Sequence, residues 1–340
     1  MKRIYSLFIT LTALASLFQA CSTDVDLYAD YKDITIVYGL LDPQQDTNYI
    51  KINKAFLGDA NVLSQIADSC NYPGKLDVRL IEYRSNLNSN NYEKTREFAL
   101  DTITVHNKKY GVFYAPDQLV YYTNYKIHAN NDYHKYRYDL QIDRGDTLIT
   151  SSTDVVGGKN IYITPTTFNF SSTTDLASVK WNQCPNTARF ELVIYFHYVE
   201  VGPTNDSVEQ VVKVWSRNEV ESAIPKKNGM YYFQYPTSEL FASIAKNIEK
   251  SPYQGNAERL FFEPSIELVL SAGGEELNNY ILVNGDVTSI VQTIPDYSNI
   301  NGGFGVFSSR TQYVHRGNLS SQTVVELFRD HPEWNFRQAQ

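Results

Sequence analysis

Six histidines are spread along the chain, at His106, His128, His134, His197, His315 and His331. A metalloprotease needs two of them one helical turn apart, and a structural zinc site needs paired cysteines such as Cys-x-x-Cys. Neither spacing occurs, so no metal or cofactor site is expected. Ser243-Ile244-Ala245-Lys246 has the Ser-x-x-Lys spacing that sets an amine one turn from a nucleophilic hydroxyl. Its partner motifs, Ser-Asp-Asn and Lys-Thr-Gly, are missing. The run also lies in an amphipathic helix whose charged face would hold Lys246 in any case, so it reads as surface chemistry. Glu275 and Glu276 are adjacent and point different ways, whereas the two carboxylates of a glycosidase must face each other across a substrate. Asn301-Gly302-Gly303-Phe304-Gly305 lacks both a P-loop ending and dinucleotide-binding spacing. Tight turns and positive φ ahead of a strand account for its glycines. No Gly-x-Ser-x-Gly elbow occurs. No catalytic set emerges, and the chain reads as a non-enzyme.

The N-terminus carries a different chemistry. Lys2 and Arg3 precede an apolar run from Ile4 to Phe18, interrupted by Ser6, Thr10, Thr12 and Ser16. That run is too short and impure for a stable span of roughly 20 apolar residues, and fits a signal peptide over residues 1–20. Phe18-Gln19-Ala20-Cys21 looks like a lipobox. Lipobox recognition implies diacylglycerol on the Cys21 sulfur, cleavage before Cys21 and acylation of the new amine. Each buried methylene adds about 0.8 kcal/mol, so two or three chains hold a protein to a bilayer without a transmembrane helix. Ser22, rather than Asp, follows the cysteine and favours the outer membrane. Asp24 and Asp26 fit an acidic tether over residues 21–32. Cys70 and Cys184 remain, and an oxidising compartment permits a disulfide between them, although two cysteines carry no framework signature.

The elements that must carry these residues are mainly strands. The chain has 26 Tyr and 17 Phe, residue types that fit pleated surfaces better than helices. Tyr136, Tyr138, Leu140 and Ile142 alternate with Lys135, Arg137, Asp139 and Gln141, placing one face in a core and the other in water. Leu76, Val78 and Leu80 alternate similarly with Asp77, Arg79 and Ile81, and Phe190, Leu192, Ile194, Phe196 and Tyr198 share another face. Trp181 ahead of that long strand is an immunoglobulin- or fibronectin-like cue. Gly157 to Asn160, with Pro165 beyond, mark a linker zone. The expected architecture is two β-sandwich domains, residues 33–160 and 161–340, the second with inserted helices. One helix opens at Pro236-Thr237, stacks Leu240, Ile244 and Ile248 and stops at Pro252. Another runs from about Ser321 to Arg329. The tyrosines are expected on half-exposed strand faces. A sharper reading makes Tyr121, Tyr122 and Tyr125, or Tyr231, Tyr232 and Tyr235, an aromatic platform for sugars or a protein. Formal net charge is −8 in a chain of 340 residues, which disfavours nucleic acid as a partner.

The leader with Cys21, the strand Ile36-Val37-Tyr38-Gly39-Leu40-Leu41-Asp42, the run Ile52-Asn53-Lys54-Ala55-Phe56 and the late stretch Ser298 to Arg310 together resemble the uncharacterised two-domain β-rich outer-membrane lipoproteins of Bacteroidetes-type bacteria. The resemblance implies a lipid-anchored protein of the outer membrane, often in company with TonB-dependent receptors, and carries over no active-site residues. Asp101-Thr102-Ile103, Asp146-Thr147-Leu148 and Asp206-Ser207-Val208 resemble the O-glycosylation acceptor of the same bacteria, with Thr102, Thr147 and Ser207 as the acceptors. Ordinary residues at strand edges are the simpler account of the three. The expected function is a non-catalytic binding or accessory lipoprotein at the cell surface or periplasmic face. The alternatives are a fimbrillin-like fibre subunit, in which Asp33 to Leu41 would be a removable strand, and a glycan or peptide hydrolase. A cleft with convergent carboxylates, one of raised pKa, would favour the hydrolase.

Overall fold

Period-two alternation is carried into paired strands along most of the chain. A computed structural model describes residues 34–55, 71–106, 117–158, 161–285 and 297–339. The leader, Cys21, the tether and Cys70 lie outside the described residues. The strands before Gly157 are β1 (Ile34–Leu41), β2 (Asn48–Ala55), β3 (Asp77–Asn86), β4 (Glu93–Ala99), β5 (Asp101–Val105), β6 (Gln118–Thr123), β7 (His134–Asp143) and β8 (Leu148–Asp154). After it come β9 (Ile163–Thr164), β10 (Thr167–Phe168), β11 (Leu176–Trp181), β12 (Arg189–Val201), β13 (Ser207–Val220), β14 (Lys226–Lys227) and β15 (Met230–Pro236). The last part holds α1 (Glu239–Lys250), β16 (Glu258–Phe261), β17 (Ile266–Gly273), α2 (Glu275–Asn284), β18 (Gly303–Leu319), α3 (Ser321–Asp330) and β19 (Phe336–Gln338). The fold is mainly β, with sheets packed face to face as sandwiches.

An 11-stranded sheet runs in the order β19-β16-β12-β17-β18-β1-β2-β6-β5, with β13 on β12 and β10 on β18. Two four-stranded sheets, β4-β3-β7-β8 and β14-β15-β11-β9, cover its two halves. Under the first lies a core built from Val37, Ile50, Tyr121 and Phe307 on one side and Leu80, Tyr138, Leu140 and Ile149 on the other. Under the second lies a larger core around Trp181, Phe190, Leu192, Ile194, Phe196 and Phe233. The chain crosses from one core to the other at Val155–Val156. Gly157 and Gly158 at this crossing are held against Tyr313, whose hydroxyl donates to the Gly158 carbonyl at 3.0 Å.

β18 joins the two halves. Its first part pairs in parallel with β1, Thr35 opposite Gly303 through Leu41 opposite Ser309, and its second part pairs with β17, Gly273 opposite Arg310 through Ile266 opposite Gly317. The two cores therefore share one strand. Gly305 is the tightest point. Its φ is +114°, and a Cβ there would sit 2.0 Å from the Val37 carbonyl oxygen, which explains a glycine inside a strand.

α1 begins at Glu239, three residues past Pro236, and buries Leu240 and Ile244 against the second core, with Ile248 at its margin. α3 spans Ser321–Asp330, and its N-cap Ser320 accepts a hydrogen bond from the Thr323 amide at 3.2 Å. The sequence gives no sign of α2, because Asn278 is its one buried residue and no apolar stripe marks it. Among the described residues no helix is long and apolar enough to cross a membrane. The alternation expected over 76–81 holds as far as Leu80 and fails at Ile81, which is buried with Leu80 and Glu82 where a bulge shifts the β3–β4 register at Glu82/Tyr83.

Candidate functional site

Strand β7 turns Arg137, Asp139 and Gln141 outward because Tyr136, Tyr138, Leu140 and Ile142 fill the first core. β8 does the same with Thr150, Ser152 and Asp154, and Tyr83 of β3 stands opposite Arg137. Residues 298–302 latch across the free edge of β8. Asn301 and Thr150 exchange backbone hydrogen bonds of 2.8 and 3.1 Å, and Ser151 donates to the Asn299 carbonyl at 2.8 Å. The Asn299 side chain both donates to the Phe307 carbonyl and accepts its N–H, at 2.6 and 3.0 Å. A sheet face and a fixed strap thus enclose an open cleft of about 630 Å³, lined by Tyr83, Tyr92, Arg137, Asp139, Gln141 and Asn301 among others.

Charge in the cleft is arranged in two steps. The Arg137 guanidinium lies over the Tyr92 ring, 4.5 Å from its centroid, and donates from Nε to Asp154 Oδ1 at 2.8 Å. The Tyr92 hydroxyl donates to the same oxygen at 3.3 Å. Asp154 is therefore a paired carboxylate. Asp139 differs. Among the described residues it accepts no hydrogen bond, and burial raises its carboxyl above the usual aspartate range. Arg137 lowers it and Asp154 raises it further. Asp139 and Asp154 are diagonal neighbours on β7 and β8, since Asp139 pairs with Ser152 and Arg137 with Asp154. Their Cβ atoms are then within about 8 Å.

Two further clefts, of about 460 and 710 Å³, lie where the cores meet and beside the start of α2. Glu276 in the second is raised by burial, but it accepts from Ser308 Oγ at 2.9 Å and Thr153 Oγ1 at 3.1 Å, and so ties α2 to β18 and β8. Glu275 beside it is exposed, so the two point apart as their adjacency requires.

The proposed tyrosine platforms are not formed. Tyr121 is in the first core, its hydroxyl accepting from the Leu76 amide at 2.8 Å, while Tyr125 is 58% exposed and lies against Phe98. Tyr231 and Tyr235 are in the second core. Successive strand residues face opposite sides, so neighbours such as Tyr121 and Tyr122 cannot share a surface. Exposed tyrosines meet between elements instead, Tyr38 of β1 lying 6.1 Å from Tyr280 of α2, ring to ring. Tyr38 and Tyr49 are 44% and 53% exposed, and Tyr49 lies 6.4 Å from Tyr122, ring to ring.

The histidines stay apart. His106 faces Asp117 at 2.9 Å, His128 faces Glu82 at 2.8 Å, His315 contacts the Pro165 carbonyl and His331 stacks on Trp334 at 3.8 Å. His134 opens β7, and His197 lies between Glu209 and Glu267 at 3.8 and 4.0 Å. Among the described residues no three His, Cys, Asp or Glu side chains converge as a metal site. Ser243 Oγ donates to the Val214 carbonyl at 3.3 Å, which commits that hydroxyl to the sheet, and Lys246 is exposed. Among the described residues Cys184 forms no disulfide; it lies in the second core, and burial pushes its thiol up to about 11. Thr102 and Ser207 stand at the starts of β5 and β13, and Thr147 in the turn before β8. Thr147 and Ser207 are exposed and Thr102 is half-buried. No protein-family model matches the chain, and no curated protein matches it.

Proposed function

We propose that this chain is an outer-membrane lipoprotein, anchored by acyl groups on Cys21, whose folded body is a non-catalytic binding or accessory protein of a surface assembly, such as one built on a TonB-dependent receptor. The leader and Phe18-Gln19-Ala20-Cys21 support the anchor. The observation that carries the binding role is the Tyr83–Tyr92–Arg137–Asp139 cleft, an open polar recess in which Tyr83, Arg137 and Asp139 stand on strands and Tyr92 and Asn301 close it from the residue before β4 and from the 298–302 strap. Cys21→Ala is expected to abolish labelling by radioactive palmitate and to move the protein from the membrane to the soluble fraction. Equal membrane association of the variant and the parent would end the anchored reading.

The fibre-subunit alternative requires the strand up to Leu41 to be removable. β1 is paired on both sides, in parallel to β18 and antiparallel to β2, and its loss would strip partners from both. That favours the accessory role. A hydrolase reading has one specific observation behind it. Asp139, raised by burial, and the paired Asp154 are diagonal neighbours on the outer face of β7 and β8, two carboxylates that one substrate could reach. Release of reducing sugar from glycans, lost in Asp139→Asn, would select it over a binding role.

A further inference from the structure

We infer that the cleft between β3, β7, β8 and the 298–302 strap binds a neutral carbohydrate, an inference that rests on the reading of this cleft as the ligand site. The argument starts from hydrogen-bonding capacity left over in the protein. Asp139 is a half-buried carboxylate that accepts nothing among the described residues, so it calls for donors. Arg137 spends Nε and Nη2 on Asp154, at 2.8 and 3.4 Å, and keeps Nη1 for an acceptor. The two side chains are next but one on the same strand and share its outer face.

A ligand seated between them must therefore give a hydrogen bond and take one within a few ångströms. An ammonium group only gives, and it would leave Arg137 Nη1 without an acceptor. A phosphate or carboxylate only takes, so it would leave Asp139 without a donor and meet its charge. A hydroxyl does both, and adjacent hydroxyls on a sugar ring do so at the required spacing. The rest of the lining agrees: Gln141, Asn301 and Ser152 are neutral groups able both to give and to take. Tyr83 adds aromatic surface for the C–H face of a ring, while Tyr92, whose ring carries the Arg137 guanidinium, sets where that group stands. The volume of about 630 Å³ suits a short oligosaccharide, and the open form admits a segment of a longer chain.

The test uses the full-length lipidated protein in detergent. Calorimetric titration is run with maltotriose, cellotriose, mannotriose and chitotriose, with trigalacturonate as the anionic probe and trilysine as the cationic one. Binding of at least one neutral sugar is expected. Affinity should fall at least about tenfold in Asp139→Asn and in Tyr92→Ala, with thermal unfolding of Asp139→Asn no lower than the parent's. Gln141→Ala, on the exposed sheet face, serves as a second variant if Tyr92→Ala does not fold. Binding of none of the neutral sugars overturns the inference. Trilysine or trigalacturonate binding that Asp139→Asn alters, without neutral-sugar binding, overturns the ligand class and leaves the cleft as the site. Sugar binding untouched by all the cleft variants overturns the site itself. Cleavage of a bound sugar supports the ligand class and ends the non-catalytic reading.

Discussion

Glu82 illustrates how a single side chain is held in this protein. It is almost wholly buried in the first core, yet it accepts from Thr95 Oγ1 at 2.6 Å, from Arg96 and from Tyr138, with His128 2.8 Å away. Burial alone would raise its carboxyl. The bonds from Arg96, Thr95 and Tyr138 outweigh burial and hold it below the usual range. A depressed folded pKa stabilises the protein fully above the unfolded carboxyl's pKa, and that stability is lost as pH falls through the folded value. Arg96→Ala strands this charge and is expected to cost on the order of 3 kcal/mol at pH 7. Urea titrations at pH 7 and in acid should show the gap between parent and variant narrowing as Glu82 takes up its proton. Cys184 makes the opposite case. Buried and raised to about 11, it stays a protonated thiol at pH 8. In a Cys70→Ser background, Ellman's reagent should find it only after denaturation, and fast labelling of the native protein would contradict its burial.

At the scale of elements, the join between β1 and β18 is the most exacting. Gly305 combines a left-handed φ with direct contact to the Val37 backbone, so Gly305→Ala strains the chain and displaces the strand. A loss of about 3 kcal/mol or more is expected. Hydrogen exchange should quicken first at the amides of β1, before those of β12 and β17. A second rigid connection runs through the wholly buried pair of Arg259 and Glu200, 2.8 Å apart. Ser251 at the end of α1 adds a bond to Glu200 at 2.7 Å, and Arg259 donates to the Trp334 carbonyl at 2.9 Å. One ion pair thus fixes β12, β16, the end of α1 and the turn before β19. Its value lies in this positioning, since desolvation offsets most of the attraction between two buried charges.

For the whole molecule, the shared strand sets the behaviour. β18 contributes Phe307 to the first core and Leu319 to the second, so neither core is complete without it. Calorimetry is expected to give a single cooperative unfolding transition, and two well-separated transitions would show that the cores unfold independently. The ligand cleft lies on the outer face of the first sandwich, away from the shared strand except where the 298–302 strap leads into it. Ligand binding there should therefore raise the temperature of that same transition.

Alternation in the sequence by itself determined a mainly β fold and which side of most strands is buried, because a strand's side chains must face opposite ways whatever their neighbours. Helical apolar spacing with local start and stop signals likewise determined α1 and α3. The same logic located Arg137, Asp139 and Gln141 on a solvent face without saying what stood beside them. Only the tertiary structure set β1 against β18 and brought Tyr83, Tyr92 and Asn301 around Asp139. Strand pairing is decided by which cores close best over the whole chain, and no short stretch of sequence encodes its partner. α2 is not legible in the sequence for a related reason: it is held by Glu276 bonding to two distant strands, a contact that exists only once the sandwiches have formed.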